Sequence, residues 1–145
     1  MQIRIGNKQD EASVRLLVGE VLAESGKSLD IEAADRDLRS IEINYFGHDG
    51  VFLVAEEERK IVGIAAALKR TETTCEVKRL YVTREHRGKG VGTQLLQQLV
   101  RFARNLDYDQ LVVSEDAVDQ NGSHFLSARG FLEGDAGLSL KLAQP

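Results

Sequence analysis

One segment of the sequence joins an alternating strand to a helix through a turn rich in arginine and glycine. It reads EVKRLYVTREHRGKGVGTQLL and spans residues 76–96. The N–H groups at the start of a helix carry partial positive charge, and glycine has no Cβ to keep an anion away from them. Arg87, Gly90 and Gly92 form the pattern R-x-x-G-x-G, and Gly88 adds a further position of close approach. The segment therefore predicts a strand–turn–helix unit that binds a phosphate-bearing anion.

Charged residues around this turn also favour an anionic ligand. The net charge of −4 argues against a general nucleic-acid binder, but charge close to a site matters more than the total. Glu85 is the only acid among the cations that cluster here, which are Lys78, Arg79, Arg84, Arg87 and Lys89. A solvated basic turn is the simpler alternative. The adjacent glycines favour a small polyanion.

Composition and hydrophobic spacing predict one α/β domain over residues 1–145. A chain of 145 residues that is 42% hydrophobic and 29% charged has the size and balance of a single globular domain. The charged turn at residues 56–60 separates two apolar strands and predicts an antiparallel hairpin. Periodicity predicts strands at residues 2–5, 51–55, 61–68, 74–82, 111–114 and 138–142, and helices at 10–26, 30–45, 88–105 and 120–128.

No segment predicts a membrane anchor or an export signal. No apolar run approaches the length of a membrane span, and the N-terminal residues MQIRIGNKQDE lack an apolar signal core. We therefore expect a cytoplasmic protein without a membrane partner. The single cysteine, Cys75, lies on an alternating strand and is expected to be a small core residue.

Two other kinds of phosphate site also join a strand to a helix through glycines. A P-loop needs a Lys-Ser/Thr pair directly after its last glycine, whereas Gly92 is followed by Thr93 and Gln94. A dinucleotide-binding turn needs G-x-G-x-x-G and an acidic residue at the end of the next strand. Here the glycines are spaced G-x-G-x-G and the next strand ends at Ser114. Both alternatives are disfavoured.

The strand, the R-x-x-G-x-G turn and the helix together resemble the signature of the GCN5-related N-acetyltransferase (GNAT) superfamily, which is R/Q-x-x-G-x-G/A. The order of elements is similar over nearly the whole chain, and NGSHFLSARGF at residues 121–131 resembles the second conserved region of that family. The resemblance implies a single-domain GNAT-like fold, with a mixed, mostly antiparallel central sheet flanked by helices. It also implies acetyl-CoA as the acyl-donor cosubstrate and no metal ion. A homodimer is left open.

The resemblance assigns the coenzyme A contacts to the turn and to two flanking segments. The amides from Gly88 to Thr93 would surround the pyrophosphate, and the end of the central strand would pair with the pantetheine arm. The Thr93 hydroxyl either donates to a phosphate oxygen or is an ordinary first-turn group, and Asn121 either contacts coenzyme A or caps the short helix. The expected cofactor-binding residues are Tyr81, Val82, Arg87, Gly88, Lys89, Gly90, Val91, Gly92, Thr93 and Asn121.

The resemblance also gives one candidate base and one departure from the family. Glu76 falls where several family members carry a glutamate that takes a proton from the substrate amine through water. It also neighbours Lys78 and Arg79, so an ion-pair role stays open. Family members often carry a tyrosine four residues before the Gly-Phe pair, where its hydroxyl approaches the departing sulfur. This chain has Leu126 there, and a leucine cannot donate a proton. The neighbouring His124 is expected to be structural.

These features predict transfer of an acetyl group from acetyl-CoA to a primary amine of a small molecule or a protein, by direct attack. A non-catalytic module that senses acyl-CoA is the alternative, because the tyrosine is missing. Residues 30–50 lie where family members build the acceptor wall. Its acids predict a cationic acceptor, with a solvated helix face as the simpler explanation, and they are Asp30, Glu32, Asp35, Asp37, Glu42 and Asp49.

Overall fold

The computed structural model describes residues 1–114, 120–134 and 137–142 and shows one central sheet with helices on both faces. The strands are β1 Gln2–Ile5, β2 Val51–Glu57, β3 Lys60–Lys69, β4 Thr74–Val82, β5 Gln110–Val113, β6 Leu132–Gly134 and β7 Gly137–Lys141. The α-helices are α1 Glu11–Ala23, α2 Ile41–Asn44, α3 Val91–Asn105 and α4 Gln120–Ser127. None of the helices in these residue ranges has both the length and the apolarity needed to cross a membrane.

The sheet is mixed and mostly antiparallel, as predicted. The described strands follow the order β1-β2-β3-β4-β5-β7-β6, and only β4 and β5 pair in parallel. Parallel neighbours need a crossover connection, and α3 provides it between β4 and β5. The predicted hairpin of β2 and β3 is confirmed. Because α3 starts where β4 ends, the crossover puts the glycine turn at the C-terminal end of the central strand β4.

Small residues on β3 let the helices pack closely against the sheet. A Cβ on Gly63 would lie 3.0 Å from Leu95 Cδ1 and 3.1 Å from Val91 Cγ1, so only glycine leaves room for α3 at this distance. Cys75 is fully buried in the core beneath α3, as predicted. Burial raises the pKa of the Cys75 thiol to about 11, which keeps it an unreactive packing group.

The prediction of a continuous helix over residues 30–45 is wrong. The segment forms turns, a 3-10 helix at Arg36–Arg39 and the short α2, before a second 3-10 turn at Phe46–His48. Two side chains interrupt it: the Asp35 carboxylate accepts the N–H of Asp30 at 2.8 Å, and the Ser40 hydroxyl caps α2 through the N–H of Ile43 at 3.2 Å. Local hydrogen bonding has replaced the helical ladder.

Two further boundaries differ from the prediction. The helix α3 begins at Val91 rather than at Gly88, because Gly88 and Gly90 have φ angles of 75° and 87° that a right-handed helix excludes. The strand β6 lies at the edge of the sheet and was not predicted. Its three residues are all exposed, so it carries no alternation for a pattern to detect.

Candidate active site

The sheet opens where β4 and β5 diverge. Within the described residues their parallel pairing ends at Val77 and Val113, although β4 continues to Val82. Just beyond that point the register with β3 shifts: Ala67 pairs with Val77, Ala66 pairs with Arg79, and Lys78 is skipped. A skipped residue of this kind is a β-bulge, which bends a strand and can end its pairing. Beyond Val77, the backbone edge of β4 on the β5 side therefore has no strand partner among the described residues.

A cavity of about 580 Å³ lies beside that edge. Its wall combines the C-terminal end of α1, residues 80–82 of β4, the glycine turn, the first turn of α3 and the α4 helix. The cavity thus joins the opened strand edge to the start of a helix of 15 residues. Such a site suits an extended ligand with an anion at one end.

The glycine turn gives an anion access to the N-terminus of α3. A Cβ built on Gly88 or Gly90 would meet no atom within 4 Å among the described residues, so neither glycine is required by close packing. Both have positive φ, which fixes the turn and favours glycine. The first N–H groups of an α-helix have no partner within the helix and point out of its start. The predicted anion site is therefore geometrically open.

The other residues predicted to bind the cofactor differ in their surroundings. Val91 is buried in the core beneath α3, so it contributes its amide rather than its side chain. Gly92 provides close approach to α4, because a Cβ there would lie 3.4 Å from Phe125 Cζ. Lys89 is exposed at the tip of the turn. Tyr81 and Val82 both line the cavity from β4.

Arg87 anchors the turn to its surroundings. Its Nε donates to the Val82 carbonyl at 3.0 Å, and its two terminal nitrogens donate to the Glu24 carboxylate at 2.5 and 2.8 Å. These hydrogen bonds from Arg87 hold the pKa of Glu24 below its ordinary value. Arg87 therefore connects the end of β4 to the end of α1 across the cavity mouth, and Glu24 balances part of its charge. No sequence pattern indicated this role for Glu24, which lies 63 residues from Arg87 along the chain.

A second arginine, in the turn that follows α4, reaches the glycine turn and was not predicted. The Arg129 guanidinium donates to the Thr93 hydroxyl from Nη2 at 2.7 Å and from Nε at 3.2 Å. It also lies 3.8 Å from the centre of the Phe125 ring. The only sequence signal is an arginine directly before the Gly130–Phe131 pair. Thr93 accepts these bonds, so its own proton remains available to donate elsewhere.

The residue at the family's tyrosine position is part of the core. Leu126 is fully buried beneath α3 and also forms part of the cavity wall. Its neighbours His124 and Ser127 are exposed, and Ser123 is half-buried. The predicted contact from the Asn121 side chain stays a prediction, because the structure describes only the backbone of this residue in α4.

Glu76 lies on β4 just before the sheet opens. It pairs with Leu68 of β3, whose side chain packs in the core beneath α1, so both side chains lie on the α1 face of the sheet. The carboxylate is 3.4 Å from Lys78 Nζ and 3.9 Å from Arg70 Nε, and its side chain is 16% exposed. Glu76 does not line the cavity with the glycine turn. An ion-pair role and a base role are both compatible with this position.

A buried charged network joins β4 to the segment before α2. The Arg79 guanidinium donates from Nη2 to Asp35 at 2.9 Å and to Asp37 at 2.6 Å, and its Nε donates to Asp37 at 3.1 Å. The buried Tyr45 hydroxyl also donates to Asp37. Burial acts to lower the pKa of Arg79, but the hydrogen bonds to Asp37 and Asp35 outweigh it and raise that pKa. Two acids of the predicted acceptor wall, Asp35 and Asp37, are therefore held in an ion-pair network with Arg79.

These features define an α/β domain with a cavity beside the glycine turn, where the described pairing of the parallel strands β4 and β5 ends. A family model described as the acetyltransferase (GNAT) family matches residues 20–131, which is more than half of the chain. The chain belongs to the GNAT acetyltransferase family. The prediction of this superfamily and of its fold is confirmed.

Relatives and solved structures agree with this assignment. The chain is 32% identical to human N-acetyltransferase 8B over 101 residues, which cover 66% of this chain and 44% of that protein. It spans less than half the length of that relative. A GNAT acetyltransferase from Staphylococcus aureus Mu50 superposes with a TM-score of 0.89 at 19% identity, covering 98% and 99% of the two chains. The Salmonella typhimurium putative acetyltransferase yncA, solved with acetyl-CoA, gives 0.76 at 22% identity, covering 100% and 95%.

Proposed function

We propose that this chain transfers an acetyl group from acetyl-CoA to a primary amine of a small molecule or a protein, by direct attack of the amine. The observation that carries the proposal is the open glycine turn at the start of α3, beside the part of β4 that has no β5 partner among the described residues. Family membership supports it, as does the name of the related N-acetyltransferase 8B. The yncA protein, which shares the fold, holds acetyl-CoA.

In this proposal two parts of the cavity bind two parts of acetyl-CoA, the anionic pyrophosphate and the neutral pantetheine arm. The pyrophosphate would accept hydrogen bonds from the amides of residues 88–93, where Gly88 and Gly90 leave room for it. The pantetheine arm would run along Tyr81 and Val82 and pair with the strand edge. The thioester would then lie near the point where β4 and β5 separate.

The acetyl transfer needs little covalent chemistry from the protein. Holding the amine against the thioester supplies a large part of the acceleration. A backbone N–H on β4 would donate to the carbonyl oxygen as charge develops on it. The amine must be neutral to attack, and Glu76 is proposed to accept its proton, directly or through water. Leu126 cannot protonate the departing thiolate, so solvent is proposed to do so.

A non-catalytic acyl-CoA sensor is the second candidate, and the buried Leu126 favours it. An assay of acetyl-CoA with a broad panel of amines separates the two. Acetylated product from any acceptor supports the enzyme. Tight coenzyme A binding without turnover on any amine supports the sensor.

The same panel tests the charge of the acceptor. Asp35 and Asp37 share the single guanidinium of Arg79, which cancels one of their two negative charges and so weakens the argument for a cationic acceptor. Asp30, Glu32, Glu42 and Asp49 are exposed and keep the hypothesis testable. Polyamines, lysine-bearing peptides, neutral amines and acidic amines should therefore be compared. Reaction with acidic or neutral amines alone would remove the cationic acceptor from the proposal.

Replacing Gly90 with valine is expected to weaken coenzyme A binding at least tenfold, a loss of about 1.4 kcal/mol. The branched side chain would fill the space above the α3 amides and would strain a residue whose φ is 87°. Calorimetric titration with coenzyme A measures the effect. Gly137→Val is the control, because Gly137 also has a positive φ, of 125°, but lies at the start of β7 and does not line the cavity. Equal affinity in a folded Gly90→Val protein would put the site elsewhere.

A further inference from the structure

Arg129 is held at the start of α3 by three contacts from two helices. Its Nη1 donates to the Phe125 carbonyl at 3.0 Å, while its Nε and Nη2 donate to the Thr93 hydroxyl. The guanidinium stacks over the Phe125 ring at 3.8 Å, a separation that suits a cation–π contact. A long side chain that would otherwise sample many rotamers is therefore held in one orientation, even though the residue is exposed.

The contacts leave the charge and part of the donor capacity of Arg129 available. A guanidinium has five N–H groups, and these hydrogen bonds use three of them. Both acceptors, the Thr93 hydroxyl and the Phe125 carbonyl, are neutral oxygens that satisfy donors without cancelling the positive charge. Arg87 differs in this respect, because it makes a two-point ion pair with Glu24. Arg129 is therefore the better placed of the two arginines to meet an added anion.

Arg129 lies next to the other groups of the cavity that are proposed to bind an anion. Thr93 is the third residue of α3, and Phe125 lies within 3.4 Å of the Cβ position of Gly92. The guanidinium thus adjoins the first turn of α3, where unpaired amides and the helix dipole already favour negative charge. Arg129 and Thr93 both line the same cavity as the glycine turn. A planar guanidinium next to this turn suits a phosphate group.

We propose that Arg129, positioned by Thr93 and Phe125, binds a phosphate group of coenzyme A and makes the site selective for the phosphorylated carrier over pantetheine thioesters. The proposal rests on the proposed function, because it takes coenzyme A as the ligand. The Thr93 hydroxyl oxygen accepts hydrogen bonds from Arg129, so the hydroxyl proton can be donated to the same phosphate. The two side chains then form one site from segments 36 residues apart.

Calorimetric titration of the wild-type protein and of Arg129→Gln with coenzyme A, 3′-dephospho-coenzyme A and pantetheine tests this proposal. Loss of one charge-assisted contact is expected to raise the Kd for coenzyme A about tenfold or more. The Kd for pantetheine should stay unchanged. An equal loss of affinity for coenzyme A and 3′-dephospho-coenzyme A would identify the pyrophosphate as the group that Arg129 binds. A loss of affinity for coenzyme A alone would identify the 3′-phosphate.

Two further variants control for charge and for folding. Arg101→Gln removes the same charge from an exposed position on α3 and should leave all three affinities within about twofold of the wild type. Arg129→Lys keeps the charge but loses the planar contact, so its affinity for coenzyme A should fall between those of the wild type and Arg129→Gln. It replaces Arg129→Gln if that variant does not fold.

The outcomes separate this inference from the proposed function. If the wild-type protein does not bind coenzyme A, the proposed function fails, and this inference fails with it. If the wild type binds coenzyme A and Arg129→Gln binds it equally well, only the role of Arg129 is overturned. An equal loss of affinity for pantetheine and coenzyme A in Arg129→Gln would also overturn it, because removing a phosphate contact cannot weaken the binding of a ligand that has no phosphate.

Discussion

Arg79→Met is expected to lower the free energy of unfolding by about 3–5 kcal/mol, the usual effect of removing one partner from a buried ion pair. The substitution would leave the Asp35 and Asp37 carboxylates facing a thioether. The side chains of Arg79 and Asp35 are only 8% and 6% exposed, so water cannot replace the lost partner without opening the structure. Urea denaturation followed by far-ultraviolet circular dichroism measures the change.

The matched control for Arg79→Met is Arg39→Met. Arg39 pairs with Glu32 at 3.9 Å on the surface, where the two side chains are 57% and 78% exposed, and its loss should cost less than about 1 kcal/mol. If Arg79→Met does not fold, Asp37→Asn provides a milder version, since the amide still offers an oxygen to Arg79. A loss below about 1 kcal/mol in Arg79→Met would mean that the network does not hold residues 35–45 against β4.

Glu76→Gln is expected to lower the turnover rate by about a hundredfold at neutral pH, the typical contribution of one general base. Glutamine keeps the size of the side chain but cannot accept the proton of an ammonium group. The loss should shrink as the pH rises towards the pKa of the acceptor amine, because the neutral amine then forms without help. Steady-state kinetics between neutral and alkaline pH, with an acceptor from the panel, measures this dependence.

Two control variants separate the base role of Glu76 from an ion-pair role. Lys78→Gln removes the nearer partner of the carboxylate but keeps the carboxylate itself. Glu72→Gln removes a carboxylate that is 88% exposed and pairs with Lys69. A base role predicts a large loss in Glu76→Gln alone. Equal small effects in Glu76→Gln and Lys78→Gln, with the wild-type pH profile, would show that Glu76 is structural.

The sequence was most informative where structure depends on neighbours along the chain. The glycine turn was predicted from its own residues, because positive φ and an open helix start are properties of a few consecutive positions. Gly88 and Gly90 have this conformation. Leu38, Ile41 and Tyr45 are buried although the helix predicted over residues 30–45 does not form, because apolar side chains leave water whichever local structure carries them.

Prediction failed where distant residues decide the outcome. Residues 30–45 carry helical spacing, yet Asp35 and Asp37 turn towards an arginine more than 40 residues away. A periodicity analysis cannot include that partner. Arg129 was missed for the same reason, since its contact with Thr93 joins the turn after α4 to α3 across 36 residues of sequence. The predicted role of Glu76 depends on a bound amine and is not decided by the fold.

The bulge at Lys78 changes which residues of β4 face α3, because the alternation of side chains shifts by one position there. Before it, the odd-numbered Cys75 and Val77 pack beneath α3; after it, the even-numbered Leu80 and Val82 do so. That shift is what directs Arg79 towards its acids on the other face. With strict alternation the guanidinium would enter the apolar layer beneath α3. One inserted residue thus keeps a cation out of the hydrocarbon core, and a deletion at this position would be far more damaging than any substitution of the lysine.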